Sequence, residues 1–153
     1  MRTVKRALCA LSAICLFACG GTKEEAKSPA STEGAPAVGA AADQASQGEQ
    51  LYGANCASCH GADGKGNANT PAVVGTSALP LDAQAPSKLR KTQFHTAADV
   101  LSFIEANMPP NKAGSLSKEE YEAILAFDLK ANGVDLTGKQ VNADTASSFV
   151  LHQ

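Results

Sequence analysis

The 153-residue chain has no tryptophan, two tyrosines, two methionines and no run of basic residues. It is also short of large apolar side chains: 29 of its 67 nominally hydrophobic residues are alanine, which leaves 38 larger apolar residues and cysteines. Such a supply builds one small core and appendages, not two enzyme domains. Past the N-terminal region there is no apolar run of the ~18 residues that a bilayer-spanning helix needs. Without clustered Lys and Arg the chain lacks the positive charge that nucleic-acid backbones demand, so no nucleic-acid partner is expected. Five cysteines cannot all pair, and an extracytoplasmic protein with one left over would carry a reactive thiol.

The N-terminus accounts for three of them. Arg2, Lys5 and Arg6 precede an apolar stretch from Ala7 to Ala18, the order of a secretory signal. Leu16-Phe17-Ala18-Cys19, followed by Gly20, resembles the bacterial lipobox, in which the cysteine is acylated and becomes the new N-terminus; Phe17 is larger than the residue usual there. Residues 1–18 are therefore expected to be removed, taking Cys9 and Cys15, and Cys19 to carry the lipid anchor. An ordinary signal cut nearby, with Cys19 a bystander, is the alternative. Acyl chains contribute ~0.8 kcal/mol per buried methylene, enough between them to anchor a soluble domain. Cleavage leaves ten basic against fifteen acidic residues.

Residues 20–47 hold one large apolar side chain, Val38, among Gly, Ala, Ser, Thr, Pro, Glu and Lys. The expectation is a disordered tether over 19–47 with a reach of about 30 Å, into which the next helix extends backward by a few residues at most. Three helices are predicted beyond it, from three sites where a hydroxyl precedes a carboxylate by three residues: Ser46/Glu49, Thr96/Asp99 and Ser117/Glu120. The first should run from Gln47 to Cys56. The second carries Val100, Leu101 and Ile104 and stops near Asn107, before Pro109 and Pro110. The third carries Tyr121, Ile124, Leu125 and Leu129 and ends at Asn132-Gly133. No segment alternates as a strand, so the class is all-α with long loops: a domain over 48–134 and an unassigned tail over 135–153, which either packs back through Phe149-Val150-Leu151 or stays disordered. Twenty large apolar residues in that domain are few for a stable core, and a bound group would supplement them.

Cys56-Ala57-Ser58-Cys59-His60 names the group. Two cysteines three apart and an immediate histidine form the attachment pattern of c-type haem. Thiols on one helical turn reach both vinyl groups of a porphyrin, and the next residue sets an imidazole under the iron. A thioredoxin-like redox pair would need a βαβ context, and a zinc site two more ligands; neither is visible. One haem c, bound covalently through Cys56 and Cys59 with His60 as its proximal ligand, is the reading. The sixth ligand is assigned to Met108, the only methionine besides the initiator, placed just past a helix end and followed by Pro109-Pro110. Met108 as core filler, His95 and His152 are the alternatives.

These residues resemble the class I cytochromes c over 87 of the 153 residues. Gly48 and Tyr52, eight and four residues before Cys56, match the glycine and aromatic at the family's crossing of first and last helices, and Ile124 and Phe127 match their partners. Gly61, Gly64 and Gly66 lead to Pro71, which resembles the proline whose carbonyl accepts the His60 Nδ1 hydrogen bond; the alternative is a plain turn former. The resemblance implies the cytochrome c fold and an exposed haem edge that passes single electrons between redox partners outside the cytoplasm.

His/Met ligation leaves no open iron position and raises the potential, which suits electron transfer and not catalysis. The expectation is a monomeric, lipid-tethered, non-enzymatic carrier on the periplasmic side of a bacterial membrane or at the cell surface, with a redox donor and acceptor not named by the sequence. A haem-bearing subunit of a larger oxidoreductase is the alternative. Val73, Val74, Leu79, Phe94, Phe103 and Ile104 are expected to line the haem; the sequence does not identify the propionate partners beyond Arg90 as a candidate, while Lys88, Arg90 and Lys91 either dock a partner or form a solvated loop.

Overall fold

The computed structural model describes residues 37–84 and 89–152, so the signal, the lipobox with Cys19, the tether up to residue 36 and Lys88 lie outside the described residues. The described part is all-α: α1 (Ala37–Asn55), α2 (Ala57–His60), α3 (Ala97–Asn107) and α4 (Lys118–Ala131), then a 3₁₀ turn at Ala146–Ser148. Its only β pairing, among the described residues, is two isolated bridges, Asn67 with Thr70 and Thr96 with Val150.

Two of the three predicted helix starts are formed as expected. Asp99 accepts from the backbone N–H groups of Thr96 at 2.8 Å and His95 at 3.0 Å. Ser117 Oγ accepts from the Glu120 N–H at 3.2 Å while Glu120 accepts from the Ser117 N–H at 2.7 Å. The first is not a start at all. α1 begins ten residues before Gln47, and Ser46 lies inside it with its hydroxyl donating to the Ala42 carbonyl. Ala41 and Ala45, counted with the tether by composition, are buried. Alanine has the best helix propensity and costs no side-chain entropy, so an alanine-rich stretch lacking large apolar residues still forms helix once a partner surface covers it.

That surface is shared by α4 and the tail, which packs against the domain. Val141, Ala146 and Phe149 are buried in the core with Leu125 and Leu129 of α4. The Gln44 amide donates to the Val141 carbonyl at 2.7 Å and accepts from its N–H at 2.9 Å, so one side chain satisfies both backbone groups across 97 residues. Farther on, the Phe149 carbonyl accepts from the Ala97 N–H, and the Leu151 N–H donates to the His95 carbonyl.

α1 crosses α4 at Gly48. A Cβ at that position would fall on the Ala123 carbonyl, so the backbones approach as only glycine permits. One turn on, the Tyr52 ring lies 5.2 Å from that of Phe127. The crossing fixes where α1 ends, and therefore where the next five residues stand.

Candidate haem-attachment site

α1 stops at Asn55 and the chain turns once at Cys56 before α2, with the Cys59 and His60 N–H groups both directed at the Cys56 carbonyl, at 3.1 and 2.9 Å. Cys56 is half-buried and Cys59 exposed, and the two thiols are not joined to one another. Burial, with the nearby charges of Asp128 and then Cys59, pushes the Cys56 thiol up to about 11. Tyr52, only 2% exposed, donates its hydroxyl to the Gly61 carbonyl at 2.7 Å, which ties the end of the Cys-x-x-Cys-His turn to the helix crossing. Burial first, then the charges of Asp128, Cys56 and Asp63, pushes that phenol up to about 12.

His60 is held by the loop it opens. Its Nδ1 stands 2.8 Å from the Pro71 carbonyl, and because a carbonyl only accepts, Nδ1 carries the proton and Nε2 is the nitrogen left to meet a metal. The glycines make this return possible. Gly66, at φ +67°, donates to the His60 carbonyl at 2.7 Å, and a Cβ there would collide with the backbone of Thr70 and Ala72. The Gly64 carbonyl accepts from the N–H groups of Val73 and Val74 at 2.7 and 3.0 Å. Asn132, at the end of α4, then clamps the far side of the loop: its amide donates to the Val73 carbonyl at 2.7 Å and accepts from the Gly75 N–H at 2.9 Å.

Met108 closes α3, with its N–H bonded to the Ile104 carbonyl at 2.9 Å and a cis peptide to Pro109. Its carbonyl accepts the Tyr121 hydroxyl at 2.7 Å, and the same hydroxyl accepts from the Gly114 N–H at 3.1 Å. One phenol thus pins both ends of the loop that begins at Met108. The other candidate ligands are engaged elsewhere: the exposed His95 Nε2 lies 3.2 Å from Gln93 Oε1, and His152 Nε2 lies 2.7 Å from the Leu79 carbonyl.

Among the residues expected to line a haem, Val73, Val74, Phe103 and Ile104 are half-buried, whereas Leu79 and Phe94 belong to the core. Arg90 corrects the docking expectation. It is 7% exposed, donates to the carbonyls of Pro80 at 2.6 Å and Leu81 at 3.1 Å, and stacks 4.0 Å over Phe94. Its guanidinium is committed to the loop, which removes it from a surface docking cluster.

Sequence reasoning passed over Asp128, Asn132 and Tyr121 as site residues. Asn132 reads as a helix stop and Tyr121 as core, and neither spacing reveals a carbonyl partner elsewhere in the chain. Asp128 did carry a signal: an acid three residues after Leu125 and four after Ile124 lies on the apolar stripe.

The donor set suits a porphyrin iron: two thiols one turn apart, an imidazole with Nε2 available, and apolar side chains left half-buried nearby. An all-α domain organised around such a turn is a c-type cytochrome domain. The family described as cytochrome C oxidase, cbb3-type, subunit III matches residues 43–127, more than half of the chain, and the chain belongs to it. It is a haem-bearing electron-transfer domain. A thiosulfate dehydrogenase of Psychrobacter arcticus is 32% identical over 80 residues, which make up 52% of this chain and 24% of that protein. The crystal structure of the sulfane dehydrogenase SoxCD from Paracoccus pantotrophus is similar with a TM-score of 0.53 at 26% identity, over 70% of this chain and 52% of that one. The chain thus spans about a quarter and about half of the lengths of these two relatives.

Proposed function

We propose that the protein carries single electrons outside the cytoplasm on one haem c attached through Cys56 and Cys59, with His60 and Met108 as axial ligands, and that Cys19 anchors it by lipid to a membrane. The observation that supports this most is the His60 Nδ1–Pro71 O bond at 2.8 Å beside the two cysteines. Hydrogen-bonding one imidazole nitrogen sets the tautomer and makes the other a stronger donor to a metal. Bound there, haem supplies a one-electron couple whose potential a thioether ligand raises. The chain's own part is to hold the ligands still: Pro71 orients His60, Tyr121 secures the backbone of Met108, and the Gly48 crossing sets the cysteines. A haem held by both His60 and Met108 would have no iron position left for a substrate, which suits a carrier rather than an enzyme, and the carrier is taken to be a monomer.

A second reading is favoured by the two dehydrogenase relatives. In it the domain serves a larger oxidoreductase acting on reduced sulfur compounds, receiving electrons from its catalytic part.

One preparation tests both. The chain is expressed with its signal in a host that matures c-type cytochromes, and the expected result is a pyridine haemochrome of the two-thioether type, lost in Cys56→Ser/Cys59→Ser. A near-infrared sulfur-to-iron band absent from Met108→Ala marks the sixth ligand. Partition into the aqueous phase of a detergent extraction without incorporated lipid defeats the anchor, and co-purification with a dehydrogenase from solubilised membranes favours the second reading.

A further inference from the structure

Asp128 lies on α4 between Leu125 and Leu129, is 5% exposed, and its Oδ1 has no hydrogen-bond partner. Carboxylates are buried so completely when something compensates their charge. Here no basic side chain pairs with it: among the described residues the one salt bridge is Lys65–Asp63, on the exposed loop after the attachment turn. From α1 Asp128 is faced by Tyr52, whose hydroxyl is already given to Gly61, and from the attachment turn by Cys56. The loop over Val73–Gly75, joined to the end of α4 by Asn132, contributes no titratable group. On its own helix the adjacent charge is Lys130, which is exposed.

We propose that Asp128 is a proton-binding site coupled to the electron that the domain carries beside Cys56. The inference rests on the haem attachment at Cys56 put forward above. When a one-electron donor reduces the domain, the Asp128 carboxylate takes one proton from water and forms one carboxyl O–H bond. When an acceptor removes the electron, that bond breaks and the proton returns to water. An added electron makes the neighbourhood of Cys56 more negative by one charge, and a nearby negative charge disfavours the carboxylate. The interior transmits this coupling more strongly than water does. Burial holds the Asp128 carboxyl well above the usual carboxylate range.

Wherever one proton accompanies each electron, the oxidised-to-reduced equilibrium shifts tenfold per pH unit, ~59 mV for a one-electron couple. The test is a redox titration of the holoprotein and of Asp128→Asn from about pH 4 to about pH 10, spanning the ordinary carboxylate range and well above it. The wild-type midpoint should fall with rising pH through one window, with a slope approaching tenfold per unit, and Asp128→Asn should be flat through that window. In redox-triggered infrared difference spectra the wild type should gain a carboxylic-acid carbonyl band on reduction, shifted by carbon-13 aspartate labelling and absent from Asp128→Asn. An unchanged slope in the variant, or a labelled wild type without that band, overturns the proposal, and the second result needs no variant to fold. Haem present by pyridine haemochrome with a pH-independent potential removes only the proton site. Loss of the haemochrome removes the attachment reading and this inference with it.

Discussion

His60 and Pro71 are joined, imidazole Nδ1 to carbonyl oxygen at 2.8 Å, across eleven residues whose course is set by glycines that tolerate no side chain. The bond ends a line of support that starts 12 residues earlier, where Gly48 lets α1 meet α4, and it is braced from behind by Asn132. Disturbance at either end should reach the imidazole.

Gly48→Ala tests the crossing. The added methyl meets the Ala123 backbone, which cannot rotate away as a side chain would, so the helices must separate. A loss of about 1–3 kcal/mol or more in chemical denaturation is expected, as for overpacked cores. Gly53→Ala, at a site where nothing lies within 4 Å, should not destabilise and serves as the control.

Tyr121→Phe removes one hydroxyl that both donates to Met108 and accepts from Gly114. The expected cost is about 1–3 kcal/mol, because the two backbone groups lose a buried partner. With the Met108 segment loosened, carbon monoxide should bind the reduced holoprotein faster than in the wild type. Stopped-flow mixing reads this directly, and an unchanged rate would separate Tyr121 from ligand retention.

Two aspartates should give stability opposite dependences on pH. The Asp128 carboxyl is raised in the folded state by burial, so above the unfolded value of about 3.9 the unfolded chain releases a proton that the folded chain keeps. Its contribution is greatest below that value and declines as pH rises through the folded pKa. Asp128→Asn should therefore gain stability on the wild type from acid toward neutral and alkaline pH. Asp99 runs the other way: bonds from the Thr96 backbone and hydroxyl and from the His95 N–H lower its pKa. Its contribution is present above the unfolded value and disappears as pH falls through the folded one. Asp99→Ala should cost about 0.5–2 kcal/mol at neutral pH, the range for a lost helix cap, and much less in strong acid. Denaturation midpoints across pH distinguish the two signs.

Phe149→Ala tests whether the tail belongs to the domain. The ring is buried and its carbonyl holds the first N–H of α3. A loss of about 3–5 kcal/mol is expected, typical of a core phenylalanine. Val150→Ala, exposed at the next position, should be close to neutral. Equal, small effects at both would detach the tail from the core.

α3, α4 and the Cys-x-x-Cys-His motif were legible because they are written in local chemistry. Thr96/Asp99 and Ser117/Glu120 place donors and acceptors within one turn, and Pro109-Pro110 stops α3 whatever surrounds it. Ser46/Glu49 has the same spacing and fails as a helix start, since the alanines before it find a buried place in the core shared by α4 and the tail and the helix continues through them. The same spacing lies inside a helix where the residues before it continue the helix against a buried surface. Arg90 misled for a related reason: a charge read from its neighbours in sequence gives no warning that two carbonyls and an aromatic face wait for it.

By itself, then, the sequence determined the spacing of Cys56, Cys59 and His60, where α3 and α4 begin and where α3 breaks, because those depend on atoms a few residues apart. The tertiary structure alone decided that residues 37–47 and 141–149 fold together, that Pro71 and not another carbonyl meets His60, and that Asp128 is left in the core without a partner. Each of these is a pairing between distant segments, whose free energy arises only when packing removes both sides from water.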